Sequence, residues 1–380
     1  MKILLLGEYN SSHYTLKEGL VTLGHEVTVL GLGDGFKNRL VDINFQNKFI
    51  KGFPRFVKRV IYKLFKVDIN SLNIRKQFYK HQDLFKGNDI VQLINENTFG
   101  TVPKIEKELL AFVFEHNKNV FLLSCGTDYP SVKYAMDDNF KYSILTPFKE
   151  GRGSAPEYLN AIKHTSTPYI ELHHFIYKSI KGVIASDLDY EIPLLGNKKY
   201  LGMVANPIKT EQIKYIHPVL NGKISIFHGI NRSNYHKKGN YIFEKALKII
   251  SEKFKDKIEI ITVENVPYKT YINLFNSAHI LLDQVFAYDQ GFNALEAMAK
   301  GKVVFTGAEK EWLDYYKLEE DTVAINALPD PIKIAEKLEW LILNPEKILE
   351  ISQNARKFIE AHHNYIDVSQ KYFDKWSSKI

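Results

Sequence analysis

Three groups of residues in this chain have types and spacings that could do chemistry. The most informative is Gln290-Gly291-Phe292-Asn293-Ala294-Leu295-Glu296-Ala297-Met298-Ala299-Lys300-Gly301-Lys302-Val303-Val304. It reads as a glycine-started helix that feeds directly into a buried strand. Gly291 lacks a side chain, so a ligand can approach the backbone there, and the free N–H groups of the first turn can hold an anion. Ala297, Met298 and Ala299 allow close packing on a sheet, and Gly301 is a good helix terminator. Glu296, about one and a half turns in, comes within reach of a sugar hydroxyl beside that anion. An anion and a polyol side by side suggest a nucleotide or a nucleotide sugar.

The second group is His228-Gly229-Ile230-Asn231-Arg232 with Lys237-Lys238-Gly239. Arg232 and Lys238 at this spacing can converge on a diphosphate and neutralise the charge that develops on a nucleoside-diphosphate leaving group. Alone they would read as a basic surface loop; the Gly291 helix further on favours the ligand reading. The third group lies in the first half of the chain. Gly7-Glu8-Tyr9-Asn10-Ser11-Ser12-His13 is a loop of small polar residues with one histidine, suited to hydrogen bonding a sugar or an acceptor, or else an ordinary exposed connection. It is not a dinucleotide fingerprint, because G-x-G-x-x-G is absent. Asp128 follows Cys125-Gly126-Thr127 just beyond a predicted strand. Its carboxylate could orient an acceptor hydroxyl or take its proton, and Asp is also a common helix cap. Cys125 has no evident base partner and reads as packing. Asp187-Leu188-Asp189 matches a short metal pattern without further ligands, and His173-His174 and His362-His363 diverge on their helices, so no metal site is expected.

The elements that must position these groups alternate strand and helix. Lys2–Leu6, Glu26–Leu30, Asp89–Ile94, Asn119–Ser124, Lys181–Ala185 and Tyr200–Val204 are predicted strands, with helices over Thr15–Leu23 and Lys104–Glu115. Proline and glycine then punctuate Asn206–Gly222, and the pattern restarts. Strands Lys223–Phe227, Ile258–Val263, His279–Leu282, Lys302–Thr306 and Asp321–Ile325 alternate with helices Tyr241–Phe254, Tyr268–Phe275 and Gly291–Lys300, followed by Pro331–Leu343 and Pro345–Ala361. The expectation is an α/β protein of two Rossmann-like lobes facing across a cleft. Residues 1–205 form the acceptor-side lobe, 206–222 a linker, 223–355 the nucleotide-sugar lobe, and 356–380 a last helix packing back on the first lobe.

At 380 residues, with 45% hydrophobic and 25% charged side chains, the chain has the composition of an ordinary globular protein of two domains. Its single cysteine excludes an internal disulfide framework and fits a reducing, cytoplasmic compartment. The apolar run at Met1–Gly7 is too short for a signal peptide, and no segment reaches the length of a membrane span. A net charge of +7 favours anionic partners without naming them, and the scattered aromatics exclude a nucleic-acid platform. Residues 48–66 carry Lys48, Lys51, Arg55, Lys58, Arg59, Lys63 and Lys66 with no acid, interleaved with Phe53, Phe56, Val57, Val60, Ile61, Leu64 and Phe65. That is either a basic amphipathic helix on an anionic membrane, at the inner face of the cell membrane, or a helix whose apolar side packs on the sheet.

Three stretches carry a resemblance to a known family. Met1–Gly7 through Leu20…Leu23-Gly24-His25-Glu26-Val27, Arg232…Lys238-Gly239, and Gly291-Phe292…Glu296-Ala297-Met298-Ala299…Gly301-Lys302-Val303-Val304 resemble the N-terminal unit, the phosphate-binding pair and the donor-site helix of retaining GT-B glycosyltransferases of group 1, or family 4. The resemblance implies transfer of a hexose-type unit from a nucleoside-diphosphate sugar, UDP- or GDP-linked, to a hydroxyl. It implies retention, no essential metal and no cofactor. Arg232 and Lys238 would hold the diphosphate, Gly291 and Phe292 the phosphates or sugar, and Glu296 the ribose. The acceptor would be a glycan or lipid-linked sugar in surface-polysaccharide or glycolipid synthesis. Where the family has a second glutamate, eight positions before Glu296, this chain has Tyr288, with Asp289 beside it and Asp283 a strand-end earlier. Asp128 or His13 would stand in for the family's first-lobe catalytic histidine. A nucleotide-sugar epimerase, or a non-catalytic glycan- or nucleotide-binding protein with a degraded donor site, are the alternatives.

Overall fold

The computed structural model describes residues 1–32, 41–49, 52–264, 266 and 268–380. The chain folds into two units: the first comprises Met1–Lys133, Ala161–Pro207 and Tyr365–Ile380, the second Tyr134–Asn160 and Ile208–Asn364.

In the first unit, short continuous apolar runs become strands, because a parallel strand covered on both faces needs apolar side chains in succession. They are β1 (Lys2–Leu6), β2 (Glu26–Gly31), β3 (Ile43–Asn44), β4 (Ile90–Leu93), β5 (Val120–Ser124), β6 (Gly182–Ala185) and β7 (Tyr200–Met203). All pair in parallel, in the order β3-β2-β1-β4-β5-β6-β7. Ile3 lies opposite both Val27 and Ile90, so the direction of winding reverses between β1 and β4. In such sheets ligands bind beyond the strand ends at that reversal. The loops starting at Gly7 and Ile94 emerge there.

Helix Ser12–Thr22 is covered by helix Tyr365–Ser377. Gly19 makes the approach possible: a Cβ on it would stand 2.1 Å from Ser369 Oγ and 2.5 Å from the Tyr365 carbonyl. Leu16, Leu20, Val368, Tyr372 and Trp376 share one core with Ile3, Leu5 and Phe121. The connection from β3 to β4 holds two helices, Gly52–Phe65 and Ile69–Lys80. Ile74 and Phe78 of the second are fully buried, whereas the first buries none of its residues.

The second unit contains β8 (Ile224–Ile230), β9 (Ile258–Glu264), β10 (Ile280–Leu282), β11 (Val303–Thr306) and β12 (Ile325–Asn326). They form a parallel sheet in the order β12-β11-β10-β8-β9. Here the winding reverses between β8 and β10, with His228 opposite Leu282. Helix Asn240–Lys253 packs on Pro331–Leu343, and Phe292–Ala299 packs on Pro345–His362. Arg356 stitches this unit together: its guanidinium donates to the carbonyls of Ile213 (2.6 Å), Ala299 (2.8 Å) and Thr210 (3.1 Å).

Tyr134–Asn160 leaves the first-unit sequence and becomes part of the second. The Lys141 amide donates to the Tyr288 hydroxyl (2.8 Å), Lys141 Nζ pairs with Glu309 (2.9 Å), and the Tyr142 hydroxyl donates to Glu309. Arg152 stacks over the Tyr241 ring at 5.0 Å. The Pro/Gly-punctuated segment from Ile208 onward is likewise held within the second unit, the Ile208 amide donating to the His363 carbonyl at 2.7 Å.

Candidate functional site

The second unit assembles its polar groups at the carboxyl ends of β8 and β10, where the winding reverses. After β8 the chain makes one short turn, Arg232–Asn234, capped by the Asn231 side chain, which accepts from the Ser233 amide (3.0 Å). It then runs through Lys237 and Lys238 to Gly239, whose φ of +71° starts helix Asn240–Lys253. Only glycine fits there: a Cβ would stand 2.6 Å from Val285 Cβ. The Lys238 carbonyl accepts from the Val285 amide (3.0 Å), which ties this loop to the one leaving β10.

The two predicted cations flank β8. Arg232 turns toward β9, donating through Nε (2.7 Å) and Nη2 (2.6 Å) to Glu264, with its guanidinium 4.7 Å from the centre of the Tyr235 ring. Glu264 raises the guanidinium above its ordinary pKa, and Arg232 lowers the carboxyl in return. Lys238 turns toward β10, where Nζ meets Asp283 Oδ1 at 2.9 Å. That same oxygen accepts from Asn293 Nδ2 (3.0 Å), while Asp283 Oδ2 is buried with no partner among the described residues. The Tyr271 hydroxyl donates to Asn293 Oδ1 (3.3 Å), fixing the amide from its other side. Lys238, Asp283 and Asn293 thus form one cluster under the start of helix Phe292–Ala299.

Gly291 is the N-cap of that helix, and no side chain caps the first turn. Its φ of −81° suits any residue, and an added Cβ would have only Gln284 Oε1 near it, at 3.9 Å. No contact with the described residues therefore requires glycine here, which leaves room for something outside the chain. Phe292 and Glu296 are half-buried on this helix, and the Glu296 carboxylate makes no hydrogen bond or ion pair with the described residues. An uncapped helix start, an ammonium and a spare carboxylate can hold a phosphate and a hydroxyl next to each other.

Tyr288 takes a different position. It is almost fully buried, its ring packs on Phe140 and Tyr142 at 5.2 and 5.6 Å, and its hydroxyl accepts the Lys141 amide. The carboxylate beside the helix start is instead Asp283, five residues earlier. The loop carrying Lys238 has a second tether: Glu157 accepts from the His236 amide (3.0 Å) and pairs with His236 Nδ1 (2.9 Å).

In the first unit, His13 is fully buried and both ring nitrogens are engaged. Nδ1 donates to the Gly7 carbonyl (2.8 Å), so Nε2 accepts from Gln92 Nε2 (3.1 Å), whose Oε1 accepts from Trp376 Nε1 (3.0 Å). Burial lowers the His13 pKa to about 3. The imidazole is neutral and braces the β1 loop rather than meeting a ligand. Asp128 is also fully buried. Its carboxylate accepts from Ser124 Oγ, from Ser131 Oγ (2.6 Å) and from the Ser131 amide (3.0 Å), the pattern of a cap on helix Tyr129–Met136. Cys125 donates to the Ile94 carbonyl (3.0 Å), and burial pushes its thiol up.

Sequence reasoning missed Glu96 and set His173 aside. Glu96 is buried two residues beyond Ile94, accepting from His173 Nδ1 (2.5 Å) and the Tyr129 amide (3.0 Å), and burial raises its pKa. Their separation of 77 residues in the chain leaves no local pattern to read.

Residues 234–374 match the family described as glycosyl transferase-like, a stretch that contains Lys238, Asp283, Gly291 and Glu296. A comparison with curated protein sequences finds no match. Among solved structures, sucrose-phosphate synthase from Thermosynechococcus elongatus is similar, with a TM-score of 0.63 and 12% identity over 100% of this chain and 99% of the other. HepE from Anabaena in complex with UDP and glucose gives 0.61 at 12% identity, covering 100% of both chains. UDP-GlcNAc 2-epimerase from Neisseria meningitidis, bound to UDP-GlcNAc, gives 0.50 at 13%, also over 100% of both. At these identities the likeness is one of fold, and the fold is the GT-B type, two Rossmann-like α/β units.

Proposed function

We propose that this protein transfers a sugar from a nucleoside-diphosphate sugar to an acceptor hydroxyl, with the donor held by the second unit. The observation that carries the proposal is Gly291. Its backbone faces open space beside Lys238, Asp283 and Glu296, at the strand ends where such sheets bind ligands. The diphosphate would lie across the uncapped helix start and Lys238, and Glu296 would take the ribose hydroxyls. The Arg232–Glu264 pair is exposed, so Arg232 can exchange the Glu264 fork for phosphate oxygens, which accept from a guanidinium in the same bidentate way, without leaving a buried charge unpaired. HepE structures with UDP and with UDP-glucose favour a UDP-sugar, with GDP the second choice.

In the transfer, the bond from the anomeric carbon to the diphosphate oxygen breaks with its electron pair left on that oxygen, while the acceptor oxygen bonds to the carbon and passes its proton to the departing diphosphate. Lys238, Arg232 and the helix start stabilise the charge that accumulates on the departing diphosphate. Asp283 acts as a positioning residue, aiming Lys238 and Asn293 from within the protein. Asp128 and His13 act in the same way in the first unit, by holding the loops after β5 and β1. Retention of configuration, independence of metal, a cytoplasmic setting and a glycan or lipid-linked sugar acceptor complete the reading, on the strength of the motif resemblance.

The test is nucleoside-diphosphate release from a panel of UDP-, GDP-, ADP- and dTDP-sugars, with and without chelator, for the wild type, Lys238→Ala and Glu296→Ala. Chelator-insensitive release from one donor, reduced about 10²–10³-fold in Lys238→Ala, is expected. Intact donor affinity and turnover in both variants would refute the site. The epimerase from Neisseria meningitidis gives the second reading: an epimerised sugar with free UDP, formed without any acceptor, would establish it.

A further inference from the structure

Helix Gly52–Phe65 adds little to the core of the described residues. The link from β3 to β4 is completed by helix Ile69–Lys80, which buries Ile74 and Phe78, while Gly52–Phe65 lies outside it and buries no residue at all. Its large apolar side chains nonetheless follow helical spacing. Phe53, Phe56, Val60 and Leu64 fall on one stripe, and Phe53, Phe56 and Leu64 are 76%, 62% and 67% exposed. Val57 and Ile61, beside that stripe, are only half-buried. Water is a poor environment for such a row, and exposed apolar rows of this kind mark interaction surfaces.

The charge along the helix selects the partner. Between Asp42 and Asp68 the sequence has seven lysines and arginines and no acid. Lys58 is held by Asp68 at 2.8 Å, which fixes the helix to the start of the next one. Arg55, Arg59, Lys63 and Lys66 have no acidic partner among the described residues. Lys51 lies outside the described residues. A helix of 14 residues is about 21 Å long. No described helix is long and apolar enough to cross a membrane, so this one would lie in the plane of a surface. Single side chains projecting from a convex helix need a deformable apolar phase, and the bases beside them need anions. An anionic lipid bilayer supplies both.

We infer that helix Gly52–Phe65 docks the protein on anionic phospholipid membranes, with Phe53, Phe56, Val60 and Leu64 entering the interface and Arg55, Arg59 and Lys63 contacting headgroup phosphates. The inference does not depend on sugar transfer. The experiment is flotation of the full-length protein with vesicles of phosphatidylcholine alone or containing roughly 30% phosphatidylglycerol, at low and high salt. The wild type should float with the anionic vesicles only, and less so at high salt. Phe53→Ser/Phe56→Ser/Leu64→Ser should lower partitioning at least tenfold. Arg55→Gln/Arg59→Gln/Lys63→Gln should lower it about a hundredfold at low salt. Because these residues are exposed, thermal melts of the variants should match the wild type.

Failure of the wild type to float at low salt would overturn the inference, as would unchanged flotation of the triple-serine variant. A wild-type dimer in sedimentation velocity that the triple-serine variant abolishes would overturn it too, by showing that a second copy covers the stripe. Should a triple variant not fold, Phe56→Trp provides the alternative reading. Quenching of its added fluorescence by brominated lipid supports insertion, and its absence on anionic vesicles refutes it.

Discussion

Gly239 and Gly291 stand beside the same cluster for opposite reasons. Gly239 is required by the fold, through a φ of +71° and the closeness of Val285. Gly239→Ala should therefore destabilise the protein by about 1–3 kcal/mol in urea denaturation. Gly291 has an ordinary φ and empty space where a Cβ would go. Gly291→Val should cost no more than about 1 kcal/mol of stability, the penalty of a poor N-cap, and weaken donor binding at least tenfold by calorimetry; equal affinity would mean that no ligand uses that space. Both glycines were legible in the sequence as members of a ligand loop and a helix start, but the difference between them depends on φ and on neighbours distant in the chain. Tyr288 illustrates the same limit. Counting back from Glu296 leads to it, whereas the carboxylate at the helix start, Asp283, is identified by its hydrogen bonds to Lys238 and Asn293. His13 yields a pH prediction. Its folded pKa of about 3 lies below the unfolded value of 6.5, so between those limits the unfolded chain binds a proton that the folded one refuses. Stability contributed by His13 is thus complete above about pH 6.5 and is lost as the pH falls toward 3. Between pH 7 and 5, urea denaturation should show the wild type losing more stability than His13→Asn; equal losses would mean that His13 titrates normally in the fold.

At the level of elements, the alternation of short apolar runs with amphipathic helices was enough to place most strands, since a buried parallel strand has few sequence alternatives. β3, only two residues long, left no readable pattern, and neither did the role of Tyr134–Asn160. Its residues are ordinary helix and turn formers; what assigns them to the second unit is where Lys141, Tyr142 and Glu157 find their partners. Glu157 makes that segment part of the candidate site, because it holds the His236 backbone two residues before Lys238. Glu157→Ala should raise the donor KM roughly three- to tenfold, with kcat less affected, since the loop must then be ordered on binding. An unchanged KM would mean that the Val285 hook alone fixes the loop. Helix Gly52–Phe65 is the converse case. The sequence displayed its amphipathic character, but a buried and a bare apolar face carry the same pattern, and only burial separates them.

On the scale of the whole molecule, the chain passes between the two units four times, at residues 133–134, 160–161, 207–208 and 364–365. A fragment of residues 1–205 would contain every strand of the first sheet and still lack helix Tyr365–Ser377, leaving Leu16 and Leu20 uncovered and Gln92 without Trp376. Such a fragment should bind hydrophobic dyes and melt without a cooperative transition; a sharp calorimetric transition would show that the last helix is dispensable. The two-unit plan was visible in the restart of the strand pattern after Gly222, and the return of the last helix to the first lobe is part of the sequence reading; the passage of Tyr134–Asn160 into the second unit was not visible, because it rests on contacts such as Glu157 to His236, far apart in the chain. The covering of Ser12–Thr22 by Tyr365–Ser377 also sets a timetable. On the ribosome the first sheet's strands emerge early, yet the helix that seals them follows roughly 170 residues after Pro207. At ordinary elongation rates that is roughly ten to thirty seconds with an apolar helix face bare. The nascent first unit thus presents an apolar face that a chaperone can bind, and its maturation waits for helix Tyr365–Ser377 to emerge.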